Sequence, residues 1–203
     1  MASTLTFIGI VWAFFSLSAA LVACCGFYLP FWINGKLLAE TDTSFGSFIR
    51  CGFPYMGPSG NLEITSQCGR YSSFWTIPSG WWRATTILTG TGTTLSLLVG
   101  LTACCCWCIG DIVSSSTVKF AGALQLFSGL LIVVGVALYP LGWGNKEVQD
   151  ACDDGVMQSG PYQLGPCKIS WSMYLLAGGV FLLFVCFGLS FKACRVKKGT
   201  FRI

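Results

Sequence analysis

Charged side chains fall in clusters along this chain and leave four long stretches with none: residues 1–35, 84–110, 120–142 and 169–191. Each can hold a membrane-spanning helix, which needs about 20 apolar residues to cross a hydrocarbon core of roughly 30 Å. The pattern predicts spans over 5–29, 84–109, 120–141 and 169–191. Between them lie a first loop over 30–83, a short turn over 110–119 and a second loop over 142–168, and a tail follows over 192–203. The whole chain then reads as one tetraspan domain with both ends on the same side. No Lys or Arg precedes the first apolar run, and the run exceeds the about 7–15 residues of a signal-peptide core, so it is expected to be retained.

The first loop is too long to be a mere connection. Within "NLEITSQCGRY", Leu62 and Ile64 alternate with Glu63 and Thr65, a strand-like period of two. The preceding "PYMGPSGN" is rich in turn residues, so a hairpin joined by Cys51 and Cys68 is expected, within a small antiparallel sheet resting on the helix ends.

Composition agrees with the spans: the chain is 54% hydrophobic and 10% charged, against roughly 25% charged in soluble domains. Charge adds orientation. Lys192, Arg195, Lys197, Lys198 and Arg202 make the tail basic with no acidic residue, which places it and the amino terminus in the cytoplasm and both long loops outside. A plasma-membrane location is expected.

Each outer loop holds two cysteines, Cys51 and Cys68, then Cys152 and Cys167. Four cysteines allow three pairings, and pairing within each loop is expected, each bridge stabilising the fold by about 3 kcal/mol. The run Cys104, Cys105, Cys106 and Cys108 sits instead at the reducing cytoplasmic end of the second span, where disulfides do not persist. A zinc site needs more ligands than a chain without histidine offers there. Two readings stay open: palmitoylation of these thiols together with Cys194, or plain apolar helix packing.

Within the spans no ionisable group is expected, which argues against transport or proton relay. Their sole side-chain amide, Gln125, is expected to hydrogen-bond across the helices. Thr86, Gly90 and Thr94, like Ser16, Ala20 and Cys24, recur at four-residue spacing and suggest close helix packing. Trp32, Trp81, Trp82, Trp143 and Trp171, with Trp107 at the other end, are expected to form interfacial belts, and Pro140 to stop the third helix. Asp150, Asp153 and Asp154 form an acidic face, and no calcium-loop pattern accompanies them. The terminal Phe201 and Ile203 would suit a PDZ domain. No N-x-S/T sequon is present. Nothing calls for a cofactor, an enzymatic role or a nucleic-acid partner.

Trp32, then Gly46, Phe48 and Cys51 in "FGSFIRC", then Cys68, and Arg83 opening the second span resemble the claudin-superfamily signature, with Ser47 and Phe48 in place of its Leu-Trp. "CGRYSSFWTIPSGWWR", "ALYPLGWGNKEV" with Tyr139, Pro140, Gly142 and Trp143, and "YQLGPCKISW" resemble more closely the lipoma HMGIC fusion partner-like tetraspans. The resemblance implies a mainly α membrane protein: a claudin-like left-handed four-transmembrane-helix bundle with a small extracellular antiparallel β-sheet, one strand of it from the second loop. It also implies an accessory subunit that assembles, traffics or anchors a larger integral membrane protein such as an ion channel, receptor or adhesion molecule. Phe45, Phe53, Tyr55, Phe74 and Trp75 are the candidate contacts, since aromatic anchors dominate interface energies. The alternative is claudin-type cell-to-cell adhesion or barrier formation, though Lys36, Arg50, Arg70 and Arg83 nearly balance Glu40, Asp42 and Glu63, leaving no consistent charge line for paracellular selectivity.

Overall fold

The computed structural model of the chain describes residues 4–5, 7–37, 41–56, 61–109, 115–153 and 157–195. In chain order the elements are β1 (Thr4–Leu5), α1 (Phe7–Tyr28), β2 (Ile33–Leu37), β3 (Thr41–Phe45), β4 (Ile49–Met56), β5 (Leu62–Arg70), α2 (Gly80–Ile109), α3 (Ser115–Leu138), α4 (Lys146–Cys152), β6 (Lys168–Ile169), α5 (Trp171–Ser190) and β7 (Cys194–Arg195). Turns of 3-10 helix lie at Phe74–Thr76 and Tyr139–Gly142. Among the described residues four helices, α1, α2, α3 and α5, are long and apolar enough to cross a membrane.

Two helices begin earlier than the apolar runs suggest. Helix α2 starts at Gly80 rather than Ala84, because the Ser79 hydroxyl accepts the Trp81 N–H and the Ser79 carbonyl accepts the Arg83 N–H, closing a capped first turn through polar residues. Helix α3 starts at Ser115 rather than Phe120 and takes in Lys119, whose long stem can lie along apolar surface while its ammonium stays wet. Its end is set by Pro140, which falls in the first turn of the 3-10 segment that follows Leu138.

Buried positions on the long helices are spaced alternately by three and four residues. On α1 they are Trp12, Ser16, Ala19, Ala23 and Gly26; on α5, Ser172, Leu176, Gly179, Leu183, Cys186 and Ser190. Helix α2 repeats the spacing through Thr85, Thr89, Gly92, Ser96, Val99 and Ala103, and α3 through Val118, Gly122, Gln125, Gly129 and Ile132. This is the heptad spacing of left-handed knobs-into-holes seams. It corrects the stripe expected from Thr86, Gly90 and Thr94: Thr94 is exposed, and the buried stripe runs one residue earlier, through Thr85 and Thr89.

The chain divides into two compact units, one comprising Met1–Cys24, Thr91–Ile132 and Ala177–Ile203, the other Cys25–Gly90 and Val133–Leu176. In the first, helix backbones approach closely at small residues. A Cβ on Gly179 would lie 3.0 Å from the Ala23 Cα, and one on Gly100 would lie 3.1 Å from the Leu17 Cα. Gln125, fully buried, donates from Nε2 to the Ser16 hydroxyl at 2.7 Å and accepts from the Trp12 indole N–H at 3.3 Å, the cross-helix bond its position suggested. Strands β1 and β7 pair antiparallel, Thr4 with Arg195 and Leu5 with Cys194, so the segment just before α1 lies beside the segment just after α5.

The second unit carries a five-stranded antiparallel sheet in the order β5-β4-β3-β2-β6. The first loop supplies four of these strands, and the second loop adds β6, with Ile169 opposite Ile33. The expected hairpin is β4–β5, in which Cys51 and Cys68 are directly opposed. Its register shifts after Cys51, at Gly52, whose φ of +68° suits glycine and whose missing Cβ leaves room for the Asp42 carbonyl. Strand β3 pairs with β4 only through Ser44–Cys51 and Phe45–Arg50, so beyond the shift the hairpin continues as a two-stranded ribbon.

Candidate interaction surface

Under the sheet, Trp82 stacks on Tyr139 with centroids 5.0 Å apart, and Trp32 meets the same ring edge-on at 4.8 Å. Phe45 and Trp143 complete this cluster. The Trp32 indole donates to the Gly26 carbonyl at 2.8 Å. Trp32, Trp82 and Trp143 are therefore core residues, which corrects their assignment to an interfacial belt; Trp81 and Trp171 remain about half exposed. A ring that packs against Tyr139 is removed from lipid, whatever its position along the chain.

The signature residues collect around this core. The Gly46 N–H donates to the Ile49 carbonyl at 2.8 Å in the turn between β3 and β4, and a Cβ there would crowd the Pro30 backbone. On Gly142 a Cβ would press within 2.6 Å of the Trp82 Nε1. Phe48 packs against Phe27 at 4.9 Å. Arg83 lies over the Trp75 ring. Gly46, Phe48 and Gly142 build the fold rather than a surface for partners.

Two disulfides tie the unit together, Cys51 to Cys68 and Cys152 to Cys167. A further contact was not visible in the sequence. The Arg50 guanidinium on β4 forms an ion pair with Glu147 on α4, and the Tyr71 hydroxyl donates to the other Glu147 oxygen at 2.7 Å. Arg50 also lies over the rings of Phe53 and Tyr71, at 4.5 and 4.8 Å. Burial, followed by the charge and hydrogen bond of Glu147, raises the Tyr71 pKa far above the ordinary tyrosine range, with Arg50 opposing. This cluster clamps the first loop to the second. The lone arginine between Ile49 and Cys51 was the sequence signal; its partner, far along the chain, carried none.

The aromatic candidates divide. Phe45 is 4% exposed and belongs to the core, so it is withdrawn as a partner contact: its strand faces inward against Trp82. Phe53 is half-buried beneath Arg50. Tyr55 is exposed and donates its hydroxyl to Glu63 across the ribbon at 2.9 Å. Phe74 is partly exposed, and Trp75 is 76% exposed. A shallow groove of about 390 Å³, lined by Phe53, Tyr55, Thr65, Gln67, Cys68 and Gly69, runs along the β4–β5 ribbon. It abuts β5, which among the described residues is an edge strand paired on one side only.

Of the remaining candidates, Cys104 is half-buried and Cys105 exposed near the end of α2, while the side chains of Cys106, Cys108 and Cys194 lie outside the described residues, as do Phe201 and Ile203. Asp153 accepts the Ser159 N–H at 2.6 Å, and the described residues contain no cluster able to hold a metal ion.

A family model described as lipoma HMGIC fusion partner-like protein matches residues 8–192. The chain is 38% identical over 120 residues to the LHFPL tetraspan subfamily member 2a protein of Danio rerio, covering 59% of this chain and 52% of that protein. It is 33% identical over 127 residues to the member 2 protein of Homo sapiens, covering 62% and 54%. It is 30% identical over 174 residues to the member 3 protein of Danio rerio, covering 85% and 75%. The chain thus matches about half the length of the first two relatives. With a matched family model over most of its length and four spanning helices joined to a small antiparallel sheet, the chain belongs to the lipoma HMGIC fusion partner-like family of tetraspan membrane proteins.

Proposed function

We propose that this chain is a non-enzymatic accessory subunit of a larger integral membrane protein, a channel, receptor or adhesion molecule, and that it binds through the outer face of its sheet. The observation that carries the reading is the stapled unit itself: two disulfides and the Arg50–Glu147–Tyr71 clamp hold a sheet that leaves Tyr55 exposed beside a groove and an open edge strand, with Phe74 exposed in the turn that follows β5. Such rigid aromatic anchors suit recognition, because little conformational entropy is lost when they are covered.

The sheet faces the outside of the plasma membrane and both termini the cytoplasm. The basic tail and the backbone pairing of Thr4–Leu5 with Cys194–Arg195 support this topology. The cysteines at the cytoplasmic end of α2 are acylation sites in this reading, with exposed Cys105 the foremost.

The test is a paired substitution, Tyr55→Ala with Phe74→Ala, in the tagged chain expressed in its native tissue. Loss of a stoichiometric membrane partner from mild-detergent extracts, with surface delivery and both disulfides intact, is expected. Unchanged recovery of that partner would refute recognition by this face.

A further inference from the structure

Arg83 is the one charged residue in the span Gly80–Cys105. A cation in a spanning helix is costly unless it reaches a partner or water. Among the described residues no carboxylate lies within ion-pair distance of it, the Arg50–Glu147 bridge being the only ion pair there. Its Nε is buried without a hydrogen-bond partner. Arg70, also without an acidic partner, differs in standing on an exposed strand where water solvates it.

The surroundings of Arg83 say what would complete it. Its guanidinium carbon lies 5.7 Å from the Trp75 ring centroid, within cation–π range. Trp75 stands in the turn just before the span, and Trp81, about half exposed, stands in the first helical turn. Amphipathic rings of this kind sit where hydrocarbon gives way to headgroups, the depth at which lipid phosphates lie. A guanidinium presents its donors as a fork in its own plane, and two of them match two phosphate oxygens. Residues 80–83 also form the positive end of the α2 dipole, which favours an anion there.

We propose that Arg83, backed by Trp75, binds the phosphate of a phospholipid headgroup in the leaflet around the start of α2. The lipid is preferred to free phosphate because the apolar flank of α2, including exposed Ile87, would hold acyl chains beside the guanidinium. Phosphatidylcholine and phosphatidylglycerol both qualify, since the recognised group is the phosphate they share.

The test is native mass spectrometry of the full chain released from detergent micelles doped with phosphatidylcholine, phosphatidylglycerol or diacylglycerol. The wild-type chain should retain one phospholipid molecule that the Arg83→Gln chain loses, with about tenfold weaker retention by the variant, the scale of one charge-assisted contact. Diacylglycerol, which has the same chains and no phosphate, should be retained equally weakly by both. Equal phospholipid retention by the two chains would overturn the proposal. Should the variant fail to fold, the wild-type chain alone decides: phosphatidylcholine must raise its melting temperature more than diacylglycerol does, and equal shifts would overturn the assignment. Millimolar inorganic phosphate should not displace the retained lipid; displacement would overturn the choice of lipid as the ligand.

Discussion

Replacing Glu147 by alanine would remove the counter-ion of Arg50 and the acceptor of the Tyr71 hydroxyl in one step. The Arg50 and Glu147 side chains are 24% and 28% exposed, so their pairing is neither a surface bridge nor a fully buried one. Exposed bridges contribute about 0–1 kcal/mol, and breaking a buried pair costs about 3–5 kcal/mol. A loss of about 2–3 kcal/mol is expected here, the residual solvent access screening part of the penalty. The loss should be local, because the pair joins β4 to α4 and no other element. Hydrogen exchange reads it directly: the Gln149 and Asp153 amides, bonded to the Asn145 and Gln149 carbonyls, should exchange about 30- to 160-fold faster. Amides of α1 and α5 should not change. Substituting both residues, Arg50→Met with Glu147→Met, should restore much of the protection by removing both charges at once. Unchanged exchange at Gln149 and Asp153 in the single variant would show that the clamp does not hold α4.

The same cluster should respond to alkali. The folded state raises the Tyr71 pKa, so its contribution is complete below the unfolded tyrosine value of about 10 and falls as pH rises above it; α4 protection should decline there, and Tyr71→Phe should remove that pH dependence. Gln125→Leu should cost about 1–2 kcal/mol in reversible detergent unfolding, since it strips an acceptor from Trp12 and a donor from Ser16; an unaltered midpoint would contradict that. Gly179→Leu should cost about 1–3 kcal/mol in the same assay by forcing α5 off Ala23, and wild-type stability would show that the approach is not close. Acyl exchange should report a lipid on Cys105 that Cys105→Ser removes, more than Cys104→Ser does; equal labelling of wild type and variant would refute it.

What could be read from the residues follows from which forces leave a local trace. Uncharged runs reveal spans because the bilayer penalises charge wherever a residue faces. The same solvent hides the helix faces: lipid accepts Leu98 or Phe127 outside as readily as the interior accepts Ile132, so the heptad seams could not be told from the lipid-facing positions. The stripe through Thr86 and Thr94 went wrong for that reason, one residue off the buried row. Helix starts at Gly80 and Ser115 were missed because capped first turns outside the hydrocarbon need not be apolar. The β4–β5 hairpin was legible, since alternation, turn residues and paired cysteines all lie close together. Phe45 and Trp82 were not, because an aromatic at a membrane boundary looks alike whether it anchors, recognises or packs. The clamp from Arg50 to Glu147 needed the fold itself.

The central claim is that the stapled sheet serves another membrane protein. The most direct measurement is the composition and mass of the complex that carries the tagged chain out of native tissue in mild detergent, determined by mass spectrometry and light scattering. A larger integral membrane protein in fixed ratio to this chain, lost when Cys51→Ser unlocks the β4–β5 hairpin but kept when Cys104 and Cys105 are changed to serine, is the expected result. Recovery of nothing but further copies of the chain, with that assembly indifferent to Cys51, would contradict the account.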